Sequence, residues 1–454
     1  MVGALGRHVA LAGFMGAGKS TVGARVAERT ARPFVDLDAV IEQGRVPIPE
    51  LFARGEAEFR RIEELTLAEV LAGPEAVIAL GGGAVLSPLS RERLRARAFT
   101  VYLDVDVETA WRRARETNRP LARREDDFRR LYESRQAVYA QAADGVARDA
   151  DDVLLAALGI RLRGAVDVPG PAAVVADEGV AALHPAPVEA PVHHVPAGEA
   201  AKTLAVVERL WRELAVGRDG TVVAFGGGST SDVAGFVAAT YLRGVPWVAV
   251  PTTLTGQVDA AVGGKTGINT EEGKNLAGAF HFPRSVVIDP DVLATLPERE
   301  RRAGMAEVVK TGLLAGRPLW ELPEEEMIRA CASHKAGVVL SDPYETEGRR
   351  DVLNLGHTFA HALEAGCEYR IGHGEAVALG LLAALRLSGL PTDAVEEVLR
   401  PAPVAADLDR AWSALKRDKK GEGVFVLLEA PGRPVVTTVP DDDARLALAA
   451  LVRQ

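Results

Sequence analysis

Gly13-Phe14-Met15-Gly16-Ala17-Gly18-Lys19-Ser20-Thr21 decides the fold of the first third of the chain, because an apolar run, His8–Ala12, precedes it and a helical stretch, Val22–Thr30, follows. Strand, glycine-rich turn and helix in that order make a phosphate loop. The glycines let successive backbone N–H groups curl around a phosphate, Lys19 reaches the β and γ oxygens, and the Ser20 hydroxyl serves Mg²⁺. A nucleoside triphosphate is the predicted ligand, with Gly16, Ala17, Gly18, Lys19, Ser20 and Thr21 around its phosphates.

One such unit does not use the whole chain. The 454 residues, 48% of them hydrophobic, predict two or three domains with sizeable cores. A formal net charge of −10 argues against general nucleic-acid or anionic-membrane binding and gathers any basic groups into pockets. The two cysteines, Cys331 and Cys367, fit neither a zinc pattern nor a disulfide framework, as suits a reducing cytosol. The N-terminus leads straight into the phosphate-loop strand, and the longest apolar stretch, 376–387, is too short to span a bilayer. A cytoplasmic protein with small-molecule substrates is the expectation.

Residues 1 to about 160 alternate short apolar runs with polar helical stretches, the βα rhythm of a parallel sheet. Asp36-Leu37-Asp38 reads as the end of the second strand, and period-2 alternation points both carboxylates toward the end where the phosphate loop opens. One of them suits a hydrated Mg²⁺, the other a substrate hydroxyl proton; a plain turn or helix cap is the alternative. Phe59-Arg60-Arg61-Ile62-Glu63, Gly81-Gly82-Gly83 and the arginines from Arg119 to Arg135 follow. Together these motifs resemble shikimate kinase. The resemblance implies ATP and Mg²⁺, Asp38 at the acceptor hydroxyl as the catalytic carboxylate, and Asp36 with Ser20 in the metal shell. It also implies Arg60 and Arg135 clasping the substrate carboxylate, Gly82 against the ring, and Arg119 on a catalytic lid over the nucleotide. A guanidinium fork meets a carboxylate through two parallel hydrogen bonds, which orients a small rigid anion as lysine does not.

The pattern loosens over 156–171, and the domain boundary is read near residue 163. Beyond it, Val222–Phe225 reads as a buried strand, Gly226-Gly227-Gly228 as a tight turn and Ser229–Leu242 as a helix whose N-terminus faces a pyrophosphate. Pro251-Thr252-Thr253-Leu254, Asp259, Gly263–Gly267 and Gly273-Lys274-Asn275 read as donor-rich loops for a phosphorylated ligand. In the helical C-terminal part, His357 and His361 stand one turn apart, His373 follows, and Glu307 offers a carboxylate, so a metal site is predicted whose third ligand spacing alone does not fix.

These segments, from Gly198-Glu199 to Asp418-Lys419-Lys420, resemble 3-dehydroquinate synthase. The resemblance implies Zn²⁺ or Co²⁺ on Glu307, His357 and His373, with His361 off the metal near the substrate. It implies NAD⁺ along Gly227, Gly228, Ser229 and Asp232, with Glu199, Lys202, Thr252, Thr253, Lys265 and Lys274 around it. Lys265, Lys310 and His361 take catalytic parts, and Asp259, Asn275, Lys335, Arg350, Asn354 and Lys419 hold substrate. The implied domains are a kinase over 1–162, an NAD-binding α/β lobe over 163–297 and an all-α metal- and substrate-binding lobe over 298–454, with a homodimer through the synthase part. The fold class is α/β: a P-loop kinase sheet, a Rossmann-like lobe and a helical lobe.

Two reactions follow from these resemblances: ATP-dependent phosphorylation of shikimate, and conversion of 3-deoxy-arabino-heptulosonate 7-phosphate to 3-dehydroquinate plus phosphate. An adenylate- or gluconate-type kinase fused to an iron-dependent alcohol dehydrogenase shares the glycine turns but lacks Phe59–Glu63 and Lys265–Asn275. The other alternative is that one half is a metabolite sensor, for which the short lid near Arg123 and the short stretch before Glu199 are the argument.

Overall fold

Alternating apolar and polar segments become, in the computed structural model, two sheets built mainly from parallel strand pairs, one in each of two units. The structure describes residues 3–44, 47–115, 124–418 and 424–453. One unit comprises Met1–Ile160 with Ala336–Ser341, the other Arg161–Lys335 with Asp342–Gln454.

The first unit runs β1 (His8–Ala12), α1 (Lys19–Arg29), β2 (Phe34–Asp36), α2 (Leu37–Gly44), α3 (Ile48–Arg54), α4 (Glu56–Ala72), β3 (Val77–Ala79), α5 (Pro88–Arg97), β4 (Ala98–Leu103), α6 (Val107–Ala114), α7 (Glu125–Ala142), β5 (Gly145–Ala147) and α8 (Ala150–Ala157). Its strands pair in parallel in the order β2-β3-β1-β4-β5. Buried on both faces, β1 is apolar throughout except at its first residue, as a central parallel strand requires. It delivers the glycine loop to the C-terminal end of the sheet, between β3 and β4.

Two sequence readings change here. The helix after the loop begins at Lys19, three residues before Val22, because Gly18 takes φ +89° and turns the chain directly into it. Asp36 and Asp38 do not share a strand: β2 ends at Asp36 and α2 begins at Leu37, with Asp36 Oδ1 accepting the backbone N–H of Asp38 at 3.1 Å. A capping interaction has replaced the extended alternation.

The second unit continues with β6 (Ile160–Leu162), β7 (Ala172–Asp177), α9 (Glu178–Ala181), β8 (Val192–Val195), α10 (Leu204–Glu213), β9 (Thr221–Gly226), α11 (Gly228–Thr240), β10 (Trp247–Pro251), β11 (Lys265–Thr270), β12 (Gly273–Phe280) and β13 (Ser285–Ile288). The sheet order is β6-β13-β10-β9-β7-β8. β7 and β9 run parallel, but the sheet grows outward from them in opposite directions, to β8 on one side and to β10 and β13 on the other, so the glycine triplet after β9 opens at a topological switch point. The helix there stops at Thr240, short of Leu242, because Tyr241 turns extended at ψ 127°, and Leu242 and Arg243 follow at φ +50° and +67°. Gly263–Gly267 and Gly273-Lys274-Asn275, read as donor-rich loops, fall largely within the antiparallel hairpin β11–β12, where Lys265 stands opposite Phe280.

α12 (Glu298–Ala315), α13 (Glu324–Ser341), α14 (His357–Gly366), α15 (His373–Leu387), α16 (Asp393–Val398), α17 (Leu408–Asp418) and α18 (Asp441–Ala449) make the helical part. Between α17 and α18 it also holds an antiparallel hairpin, β14 (Val424–Ala430) with β15 (Arg433–Thr438), whose Phe425 stacks on Phe359. The all-helical expectation thus gains two strands, which close the core formed by α12, α14 and α15. Glycines set the approach of those helices: a Cβ at Gly374 would lie 2.2 Å from Ala303 Cα, and one at Gly380 would lie 2.1 Å from Gly356 O. The N-terminal ends of α14 and α15 are thereby drawn to the middle of α12.

Candidate active sites

In the first unit the phosphate loop is preformed. Gly16 sits at φ +82°, and a Cβ there would come within 2.3 Å of Ala110 O, so only glycine fits. α1 has neither a side-chain cap nor an acidic residue in its first turn, which leaves Ala17, Gly18 and Thr21 around a helix N-terminus suited to an anion. Lys19 is buried and donates to Gly13 O at 2.9 Å and Phe14 O at 3.1 Å, folding back across the loop. Ser20 Oγ donates to Asp36 Oδ2 at 2.5 Å, so the two predicted Mg²⁺ residues are adjacent.

The predicted substrate residues meet beside them. Arg60, on α4, pairs with Glu63 at 2.7 Å and with Glu56 at 3.2 Å and lies over the Phe59 ring. Arg135, on α7, is buried and donates to Gly82 O at 3.3 Å, which also accepts from Tyr139 Oη at 2.5 Å. Glu63 and Tyr139 were not among the predicted site residues. Glu63 is buried, and a Cβ at Gly81 would lie 2.2 Å from Glu63 Oε1 and 2.8 Å from Asp38 Oδ1, so the two carboxylates face the same glycine. Burial raises the Glu63 carboxyl above the usual range, Arg60 pulls it back, and Asp38 adds to the rise. Its i+3 spacing from Arg60 was the available signal. Arg119 and the lid residue Arg123 lie outside the described residues.

In the second unit, α11 likewise starts at glycine with no side-chain cap and no acid in its first turn. Gly227 approaches Thr253, whose Cγ2 would be 2.9 Å from an added Cβ. Around this turn, Ser229 Oγ donates to Glu199 at 3.4 Å and Lys202 donates to Asp232 Oδ2 at 2.6 Å and to Asn275. Thr252 Oγ1 is buried and finds no hydrogen-bond partner among the described residues. An orphaned hydroxyl beside a glycine turn and an uncapped helix fits a polar cofactor such as a dinucleotide.

The metal set converges from three helices. Ligand atoms of Glu307 on α12, His357 at the start of α14 and His373 at the start of α15 lie within 4.8 Å of one another. Each histidine turns Nε2 toward Glu307 Oε1, at 3.5 Å for His357 and 3.6 Å for His373. Their Nδ1 atoms face acceptors, Leu355 O at 3.2 Å and Glu364 Oε1 at 3.3 Å. Two nitrogens and a carboxylate oxygen with their outer hydrogen bonds in place fit a catalytic Zn²⁺ or Co²⁺. His361 is outside this set, its ring 5.7 Å from that of His357. Burial pulls His357 below its ordinary value. Burial acts on His373 in the same sense, but its bonds to Glu307 and Glu364 outweigh that and push it up to about 10.

Cations line the remainder. Buried Lys310 meets Glu307 at 2.5 Å and Asp259 at 3.6 Å, and Lys335 meets Asp259 at 2.9 Å. Burial and then Asp259 act on both lysines in opposite senses; the outcome is upward for Lys310 and downward for Lys335, which also feels Lys310 and Arg350. Arg350 is buried, donates to Gly263 O and Pro343 O, and meets Glu345 at 3.4 Å. Glu345, at φ +56°, also pairs with Lys265. Lys274 reaches Glu364 at 3.3 Å, and Asn354 ends the short 3₁₀ helix Arg349–Asn354 just ahead of His357. Glu364 and Glu345 were not predicted. Glu364 continues the His357 and His361 stripe at i+7, a signal that was present in the helical spacing. Lys419 and Lys420 lie outside the described residues.

Comparison with known proteins agrees with both halves. Family models described as 3-dehydroquinate synthase N-terminal and C-terminal match residues 192–303 and 304–421. A 3-dehydroquinate synthase of Thermobifida fusca is 44% identical over 283 residues, 55% of this chain and 76% of its own. The chain belongs to the 3-dehydroquinate synthase family. Ahead of the synthase, the shikimate kinase family model matches residues 15–156, so one chain carries both domains. Among solved structures, 2-deoxy-scyllo-inosose synthase complexed with carbaglucose-6-phosphate, NAD⁺ and Co²⁺ is 28% identical, with a TM-score of 0.55 over 62% of this chain and 90% of its own. A 2-epi-5-epi-valiolone synthase from Streptomyces hygroscopicus subsp. jinggangensis 5008, with NAD⁺ and Zn²⁺ bound, shares the fold at 24% identity and TM-score 0.58, over 64% of this chain and 96% of its own. Among the described residues no helix is long and apolar enough to cross a membrane.

Proposed function

We propose that the two sites work as a shikimate 3-kinase and a 3-dehydroquinate synthase, with the residue roles read from the sequence. The observation that carries this reading is the joint presence of a loop lysine, paired aspartates and two arginines in one unit and a complete three-residue metal set in the other. The kinase spans 1–162, the NAD-binding lobe 163–297 and the metal- and substrate-binding lobe 298–454.

In the kinase, Lys19 and the backbone of Gly16–Thr21 would hold the triphosphate of ATP, while Ser20 and Asp36 would hold Mg²⁺, which would screen its charge. Asp38 accepts the proton of the attacking hydroxyl. Arg60 and Arg135 fix the shikimate carboxylate, and the Gly82 carbonyl, tied to Arg135 and Tyr139, keeps the glycine turn against the ring.

In the synthase, Glu307, His357 and His373 would hold Zn²⁺ or Co²⁺, and the turn at Gly227 with Thr252, Asp232 and Lys202 would hold NAD⁺. When bound, these supply a Lewis acid for the substrate hydroxyls and a hydride acceptor and donor. The chain's own work is orientation and charge. Lys265, Lys335 and Arg350 bind the anionic ends of the sugar-acid phosphate and stabilise charge on the departing phosphate. Asp259 holds Lys310 and Lys335 beside each other, and His361 faces the substrate side of the metal set. The reading also carries a homodimer through the synthase, whose exposed Leu242 and Leu276 offer apolar surface to bury, and action in the cytoplasm.

Single-site variants test the assignment. Lys19→Met is expected to lower shikimate phosphorylation about 100-fold or more while leaving phosphate release by the synthase intact, and Glu307→Gln to do the reverse. Loss of both activities from either change, or of neither, would contradict two independent sites.

A further inference from the structure

Glu364 is a buried carboxylate whose one oxygen, Oε1, faces two partners from different parts of the second unit. His373 Nδ1, from α15, lies at 3.3 Å, and Lys274 Nζ, from β12, also lies at 3.3 Å. Lys274 is held from the other side by the face of Tyr369, 4.9 Å from the ring centre. His373 turns Nε2 toward Glu307, and with a metal on that nitrogen its Nδ1 would carry the proton that Glu364 accepts. An imidazole bonds to a metal through one nitrogen in the plane of the ring, so an acceptor on the opposite nitrogen fixes both tautomer and ring plane. His357 obtains the same service from the Leu355 carbonyl, which its own backbone supplies. His373, with a side chain 44% exposed at the mouth of the cluster, depends on a side chain for it.

We propose that Glu364 is a positioning residue of the synthase site: it orients His373 toward the metal and, through the same oxygen, anchors Lys274 of the β11–β12 hairpin beside the metal set. One carboxylate therefore links the metal ligand to a cation expected at the cofactor and substrate. This rests on the metal-dependent reading above.

The test uses the full chain loaded with Co²⁺, comparing the parent with Glu364→Ala and Glu364→Gln. The readouts are the visible absorption bands of bound Co²⁺ and its dissociation constant, by competition with a chromophoric chelator; circular dichroism and thermal melting report folding. Glu364→Ala is expected to weaken Co²⁺ binding about 10- to 100-fold and to shift the bands, as His373 loses its orientation. Glu364→Gln keeps an acceptor oxygen but not the charge, so its bands should stay close to those of the parent while affinity falls by less than in the alanine variant. A folded alanine variant with parental bands and affinity would overturn the proposal. If alanine does not fold, the glutamine variant decides: weakened Co²⁺ binding supports the proposal and parental affinity overturns it. A parent protein that binds no Co²⁺ would overturn the metal reading, and this proposal with it.

Discussion

At the scale of single residues, both sites are organised by carboxylates that hold cations ready for anionic ligands. Arg60, proposed to take the shikimate carboxylate, is the clearest case: Glu63 and Glu56 fix its guanidinium. Arg60→Lys keeps the charge and loses the fork, so the KM for shikimate should rise about 10- to 100-fold with the KM for ATP little changed, as steady-state kinetics would show. A second case is Asp342, buried, which accepts backbone N–H groups of Thr346, Glu347 and Arg349 at 2.9, 3.2 and 3.1 Å and so shapes the turn that carries Glu345 and Arg350. Burial opposes its ionisation, but those bonds outweigh it and hold the carboxyl below its ordinary value. A depressed carboxyl adds stability above its unfolded pKa of about 4, and that contribution disappears as pH falls through the lower folded value. Asp342→Asn should therefore lower the melting temperature at neutral pH and flatten the loss between about pH 4 and the folded value. Equal acid slopes for variant and parent would contradict that role.

At the scale of elements, the metal cluster depends on how closely three helices approach. Gly380→Ala places a Cβ 2.1 Å from Gly356 O, a backbone atom one residue before His357. Either α14 or α15 must shift, at a cost of about 1 to 3 kcal/mol by analogy with other overpacked cores, and Co²⁺ binding should weaken with it. Melting and metal titration would check both. The same scale separates what was legible in the sequence from what was not. The phosphate loop was readable because its strand, turn and helix are contiguous, and the metal residues because the family pattern carries them. Asp36 and Asp38 were misread because a capping bond, which alternation does not register, starts α2 between them. Gly263–Gly267 and Gly273-Lys274-Asn275 passed for loops because their glycines and lysines obscure a hairpin defined by pairing across the turn. Glu364 escaped because its meaning lies in partners 90 and 9 residues away, on β12 and α15.

At the scale of the whole molecule, the chain carries a shikimate kinase domain and a 3-dehydroquinate synthase domain, under a net charge of −10. The cations that the proposed reading assigns to phosphorylated or carboxylated substrates are Lys19, Arg60 and Arg135 in one and Lys265, Lys310, Lys335 and Arg350 in the other. Shikimate phosphorylation is not the step that follows 3-dehydroquinate formation, so nothing in the chemistry asks one site to hand its product to the other. On the proposed reading the units differ in what they lose on chelation: hydrated Mg²⁺ would travel with ATP, whereas Zn²⁺ or Co²⁺ would be held by the side chains of Glu307, His357 and His373. The most direct measurement follows both activities on one purified sample: ATP-dependent phosphorylation of shikimate, and NAD⁺-dependent phosphate release from 3-deoxy-arabino-heptulosonate 7-phosphate. Each is assayed before and after treatment with a tight chelator, after its removal and resupply of Mg²⁺ alone, and after further addition of Zn²⁺ or Co²⁺. Both activities at the outset, with Mg²⁺ restoring only the kinase and Zn²⁺ or Co²⁺ needed for the synthase, is the predicted result. A sample in which either unit binds its ligands without turnover, or in which Mg²⁺ alone restores both reactions, would contradict the account.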